Sequence, residues 1–358
     1  MASSSVDPAF SIALPKAELH AHLSGSISPT TLHEIWLKKR SEGQCLDLED
    51  PLAAIKAGGD GFVDIVSFFP LFDKYIYALC NDLENVKYAT EKVLQDFSKD
   101  GVRYLELRTT PRACVETGMT KELYVDTVNE TFARWNHNHT GQLEAYPILS
   151  IDRRMSAEEA IEVVDLAVKY QYHPNQDKGG YVVGVDLGGN PMKGNVSIFT
   201  EAMATAKANG LGITIHFAEV PQSSTEEELN TILSWRPDRL GHCIHVPPLI
   251  EKVMRQRSTG LEMCLSCNVL SGLTSGGFER HHIKQWAQSD CPIALSTDDV
   301  GIFGSPLSNE YSLAAKYLHL SRKQVISLAK QAVQASFAGR KRMMRLLDEF
   351  EAAFDQDG

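Results

Sequence analysis

These 358 residues contain no basic stripe, no long apolar run and no even set of cysteines, and each absence removes a class of function. Lys and Arg total 35 against 46 Asp and Glu, a net charge of -11, so a nucleic-acid polymer is not the expected partner. A few local donors can still hold a small phosphate on an acidic protein. No segment approaches the roughly 18 uninterrupted apolar residues of a membrane span. The first residues, Met1 to Leu14, lack the basic start of a secretory signal. Seven cysteines, an odd number set in or beside apolar segments, read as reduced thiols rather than a disulfide framework. The expectation is a cytoplasmic, soluble monomer.

What is present is ordinary globular material, 43% apolar and 23% charged, arranged in alternation. Short apolar or β-branched runs recur at Ala17–Leu23, Val102–Arg108, Ala145–Asp152 and Tyr181–Gly189. They continue at Gly212–Glu219, Arg239–Val246, Leu261–Cys267 and Pro292–Asp299. Such runs fit strands buried on both faces. Helical patterns separate them: Leu83–Lys99, Ser156–Tyr170 with a Ser156/Glu159 capping box, Ile198–Asn209 stopped by Gly210, and a helix capped by Ser224. Three more, Leu307–Leu318, Arg322–Ala338 and Arg340–Phe354, follow the last strand. The pattern predicts an α/β fold, a single (β/α)8 TIM barrel domain over residues 1–358. An open doubly wound sheet is the alternative. The first connection spans about 75 residues, against roughly 2–6 for an ordinary βα loop. It carries helical patterns at Pro29–Arg40 and Phe62–Leu79, and predicts a helical lid over about residues 27–100 at the barrel mouth.

Ionisable residues gather at the predicted strand ends. His20 and His22 are two apart, so they share a strand face, as a bidentate metal site requires. His216 and Glu219 end the fifth run, His242 lies in the sixth, and Asp298 and Asp299 end the eighth. Buried charges need partners or a metal. Three imidazoles (His20, His22, His216) and the Asp298 carboxylate suit one zinc ion, leaving an open position for water of lowered pKa. Glu219 suits a proton donor to a ring nitrogen, His242 suits orienting or deprotonating the water, and Asp299 suits a substrate hydrogen bond. Cys264 and Cys267, three apart on a predicted strand, point to opposite faces and do not chelate together. Asn268 behind them is assigned no role.

The segments LPKAELHAHLSGS (Leu14–Ser26), GVDLGGNP, HFAE, GHC and STDD, in this order and spacing, resemble the adenosine deaminase family over nearly the whole chain. The resemblance implies one zinc on His20, His22, His216 and Asp298, and catalysis by Glu219, His242 and Asp298. It implies Glu219 protonating purine N1, Asp299 on N7, and the Gly189 N–H on N3. Members specific for adenosine place an acidic residue after the H-x-H-L motif; this chain has Ser24, which can donate to a 5′-phosphate. Arg108-Thr109-Thr110-Pro111-Arg112 and Asp152-Arg153-Arg154 look like the branch acting on N6-methyl-AMP, where hydroxyls and guanidinium groups are sensible phosphate donors. The expected substrate contacts are therefore His22, Ser24, Thr109, Thr110, Pro111, Arg112, Asp152, Gly189, Glu219 and Asp299. Members of that branch carry a histidine near Leu71–Asp73; here Lys74, Tyr75 and Tyr77 stand nearby instead. The expected reaction is hydrolysis of a purine nucleotide, N6-methyl-AMP to IMP and methylamine. Deamination of adenosine is the alternative, and another metal-dependent barrel hydrolysis the more distant one.

Overall fold

The computed structural model describes residues 6–55, 70–174 and 179–356. Its sheet begins with β1 (Lys16–His22), β2 (Val102–Thr109), β3 (Glu144–Asp152) and β4 (Gly184–Gly188). It continues with β5 (Gly212–Phe217), β6 (Arg239–His242), β7 (Gly260–Met263) and β8 (Ile293–Leu295). The eight strands pair in sequence order and in parallel. The seam is closed just past β8, where Ala21 and Asp298 form a parallel bridge. There the His22 N–H donates to the Asp298 carbonyl at 3.0 Å, and the Asp298 N–H to the His20 carbonyl at 2.9 Å. The result is the (β/α)8 barrel that the alternation predicts, not an open sheet.

The strands are buried on both faces. Leu19, Leu105, Ile148, Val185, Ile213, Leu240 and Leu261 are essentially inaccessible, each contributing roughly 1.5–3 kcal/mol. Helices between strands bury one stripe against them. Leu83–Lys99 is capped by Asp82, and Ala157–Lys169 by the Ser156/Glu159 box. The helix placed after Ser224 starts one residue later: Thr225 caps Glu226–Ser234 and accepts from the Glu228 N–H.

Two expectations need correction. The sixth, seventh and eighth runs are shorter strands than their apolar lengths suggest. Asp298 and Asp299 lie beyond β8, and Leu265–Leu270 is a helix, so Cys264 and Cys267 are not on one strand. Within the long first connection, Pro29–Ser41 is helical. Residues 62–69 of the second helical pattern lie outside the described residues, and Phe72–Tyr77 winds as a π-helix. Such single turns are frequent at functional sites. Among the described residues no helix is long and apolar enough to cross a membrane.

Candidate active site

Period-two geometry puts Glu18, His20 and His22 on the inner face of β1 at successive heights. His216 arrives on β5, and Asp298 on the turn after β8. The ligand atoms of His20, His22, His216 and Asp298 lie within 4.8 Å of one another. Nε2 of His22 is 3.1 Å from Nε2 of His216 and 3.3 Å from Oδ1 of Asp298, while Nε2 of His20 is 3.5 Å from that oxygen. A tetrahedron with metal bonds of ~2.0–2.1 Å has edges of roughly 3.3 Å. The residues therefore fit a divalent ion.

Their outer contacts agree. Nδ1 of His20 donates to Glu262 at 2.5 Å, and Nδ1 of His216 faces Asp186 and the Leu187 carbonyl at 3.1 Å. This turns both Nε2 lone pairs inward, as metal-ligating histidines require. Nε2 of His20 is buried without a hydrogen-bond partner among the described residues. Burial, aided by the Arg108 charge, pushes His20 down to about 4, so it is neutral and able to coordinate. Burial pushes the Asp298 carboxyl up, but the imidazoles of His20 and His22 packed around it outweigh this and hold it well below the usual carboxylate range. Its neighbour Asp299 goes the other way: burial and then the Asp298 charge hold it well above the usual carboxylate range. Adjacent carboxylates driven apart in this manner divide charge-bearing from proton-holding work.

Beneath the cluster lies a wholly buried ionic floor. Glu262 accepts from Arg108 at 2.9 Å, from Arg239 at 2.6 Å and from Thr214 at 2.8 Å, besides His20. Arg239 also meets Glu106 at 2.6 Å, and Arg108 meets Asp186 at 3.1 Å. Arg108 is therefore no phosphate donor at the mouth. Arg153 is likewise buried and bound to Glu228 at 2.5 Å.

Above the cluster opens a cavity of about 1000 Å³, mouth included. His22, Ser24, Thr109, Thr110, Asp152, Gly189, Glu219, His242 and Asp299 all line it. Pro111 does not, and Arg112 lines a smaller adjoining cavity, its guanidinium 3.4 Å from the Tyr77 ring centre. Oε2 of Glu219, Nε2 of His242 and Oδ1 of Asp299 are buried without hydrogen-bond partners among the described residues. Buried polar atoms seldom stay unpaired; all three side chains line the cavity. Backbone strain marks the same place, since Ala218, His242 and Asp298 have φ of +50°, +61° and +61°. Gly25 follows Ser24 because a Cβ there would fall 1.4 Å from Oδ1 of Asp299.

The adenosine deaminase profile matches residues 15–353. The chain belongs to the adenosine deaminase family. It is a hydrolase acting on a purine C–N bond. It is 36% identical over 340 residues to the N6-methyl-AMP deaminase of Danio rerio, covering 93% of each chain. It is 35% identical to the Arabidopsis thaliana N6-mAMP deaminase, covering 95% of this chain and 97% of that one. A solved Arabidopsis structure, ADAL complexed with IMP, superposes with a TM-score of 0.85 at 34% identity, over 97% of this chain and 99% of the other.

Several residues of this adenosine deaminase family site escaped the sequence reading. Phe72 and Asp73 of the π-helix line the cavity, as does Tyr77, one of the residues offered for the missing histidine, whereas Lys74 lies against Tyr75. Cys267 lines it too and donates to Oδ2 of Asp298 at 2.8 Å. The one available signal for the floor was Glu106, Arg108, Arg239 and Glu262 standing inside apolar strands with no nearby partner in sequence.

Proposed function

We propose that the chain hydrolyses N6-methyl-AMP to IMP and methylamine, using zinc held by His20, His22, His216 and Asp298. The observation that carries this is that three residues with unpaired buried polar atoms, Glu219, His242 and Asp299, line one cavity beside a tetrahedral ligand set. When bound, the ion supplies a Lewis acid that lowers the pKa of a water toward about 7. The protein's residues do the rest. Glu219 delivers a proton to purine N1 as C6 is attacked. His242 holds the attacking oxygen. Asp299, kept protonated, donates to N7, which is only an acceptor, and the Gly189 N–H meets N3.

The mouth supports a nucleotide. Ser24, a hydroxyl rather than a carboxylate, stands there with Thr110, and Arg154 is more than half exposed while gripping Asp152 through two bonds of 2.8–2.9 Å. Arg112 flanks Tyr77 next door. We assign the 5′-phosphate to this side, with the described residues of the first connection as its lid and Tyr77 in place of the branch's histidine. The names of the zebrafish and Arabidopsis relatives point the same way. Comparing kcat/KM for adenosine, AMP and N6-methyl-AMP tests it. N6-methyl-AMP should be preferred, with methylamine released; preference for adenosine would overturn the nucleotide assignment.

A further inference from the structure

His242 is the one imidazole of the site that is not a ligand, and its chemistry depends on which nitrogen bears the proton. Its Nδ1 lies 3.0 Å from Oδ1 of Asn268. Nδ2 of that amide lies 3.3 Å from Nε2 of His281. All three side chains are buried. The three form a closed chain whose polarity is set at the far end.

At that end, Ile283 opens the short helix Ile283–Trp286, and its N–H donates to Nδ1 of His281 at 3.1 Å. An accepting nitrogen carries no proton. Burial, helped by His282 and His242, pushes His281 down to about 2, so the ring is neutral. Its single proton therefore sits on Nε2, and this N–H needs an acceptor. An amide offers one accepting and one donating end, which are isosteric, so hydrogen bonding decides its orientation. An NH2 turned toward His281 would set two donors against each other, and a buried unsatisfied donor costs about 1–3 kcal/mol. The hydrogen-bond network therefore requires the amide turned end for end from that placement, with its carbonyl oxygen toward His281 and its NH2 toward His242.

We infer that His281, acting through Asn268, is a positioning residue that fixes His242 as the Nε2–H tautomer. The inference rests on the deaminase reading of the site. Nδ1 of His242 accepts, and Nε2–H points between Oε1 of Glu219 and Oδ2 of Asp298, each 3.9 Å away. The surroundings agree: a lone pair there would face carboxylate oxygens, whereas an N–H is attracted to them. His282 does not compete, because its Nε2 donates to the backbone carbonyl of His242 at 2.6 Å. His242 then holds the attacking oxygen by donating to it and cannot take its proton. When the water O–H bond breaks, that proton goes to Glu219, whose carboxylate is bare once it has protonated N1.

The test is 15N NMR of the histidine-labelled, metal-loaded protein, with a His242→Gln variant assigning the resonances. Wild-type His242 should show a protonated Nε2 and a bare Nδ1. In Asn268→Asp, the carboxylate accepts from both rings, so the His242 proton should move to Nδ1 while His281 keeps its pattern. kcat should fall by at least ~10²-fold, since a wrong tautomer held in intact geometry can cost ~10⁴. His281→Leu frees the amide, and His242 should then show both tautomers. This variant keeps the test open if Asn268→Asp does not fold. A protonated Nδ1 in the wild type, or a His242 pattern unmoved in His281→Leu, overturns the inference. The spectrum reads the tautomer whether or not any purine is turned over, so failure of the deaminase reading would show separately, in the substrate panel.

Discussion

The floor and the mouth of this barrel use the same residue types for opposite ends. Below the ligand cluster, Arg108 and Arg239 are wholly enclosed and matched to Glu262, Glu106 and Asp186. Above it, Arg154 is 60% exposed and Arg112 rests on the ring of Tyr77. The buried guanidinium groups are counter-ions that hold His20 and His216 in orientation. The outer ones keep donors to spare. A charge sealed in the protein is costly to unpair, and one at the rim is cheap to move.

That contrast can be broken most severely at Glu262. Glu262→Gln leaves two buried guanidinium groups short of an anion, and unfolding free energy in urea should drop by about 3–5 kcal/mol. A loss under about 1 kcal/mol would mean that the floor tolerates rewiring. At the interface between floor and mouth, Cys267→Ala removes the donor to Asp298. Metal affinity measured by competition with a chelator should weaken by roughly 10–100-fold, the usual worth of an outer partner, and Cys267→Ser should restore much of it. Equal affinities for the Ala and Ser variants would deny the bond any role. At the mouth, Arg154→Ala and Arg112→Ala should each raise KM for N6-methyl-AMP by ~10-fold or more while leaving adenosine unchanged, as loss of a bond to a charged group predicts. Equal effects on nucleoside and nucleotide would remove the phosphate from that side.

The smallest effect is a pH slope. Glu310 is fully buried, accepting from the Ser266 N–H and the Ser305 hydroxyl, and burial pushes its carboxyl up from 4.5 to about 7. A raised folded value means the native state holds the proton more tightly. Its stabilising contribution is whole below pH 4.5 and fades as pH rises through 7. Glu310→Gln should flatten the stability profile over that window by at most about 1.4 kcal/mol per pH unit. An unchanged slope would show that Glu310 does not carry it.

Much of this was legible in sequence because barrel strands advertise themselves. Runs such as Ala145–Asp152 are largely apolar, of strand length and separated by helical patterns, and His20 with His22 declare a shared face. The ends were harder to read. Leu261–Cys267 reads as one strand, yet the chain turns into a helix after Met263, because apolar residues lie buried equally well in either shape. The π-helix at Phe72–Tyr77 leaves no mark in hydrophobic spacing, so the face that this part of the lid turns to the cavity could not be read. Arg108 looked like a ligand donor because its partners, Asp186 and Glu262, are remote along the chain. Only register brings them together.

The seam of the barrel carries a further consequence. Ala21 and Asp298 bridge its first and last strands, and the same two segments carry proposed metal ligands. A growing polypeptide therefore presents His20 and His22 well before the aspartate emerges. On the proposed ligand set, loading of the ion is completed late in maturation, and whatever metal binds earlier occupies a set that lacks the residue joining the two edges.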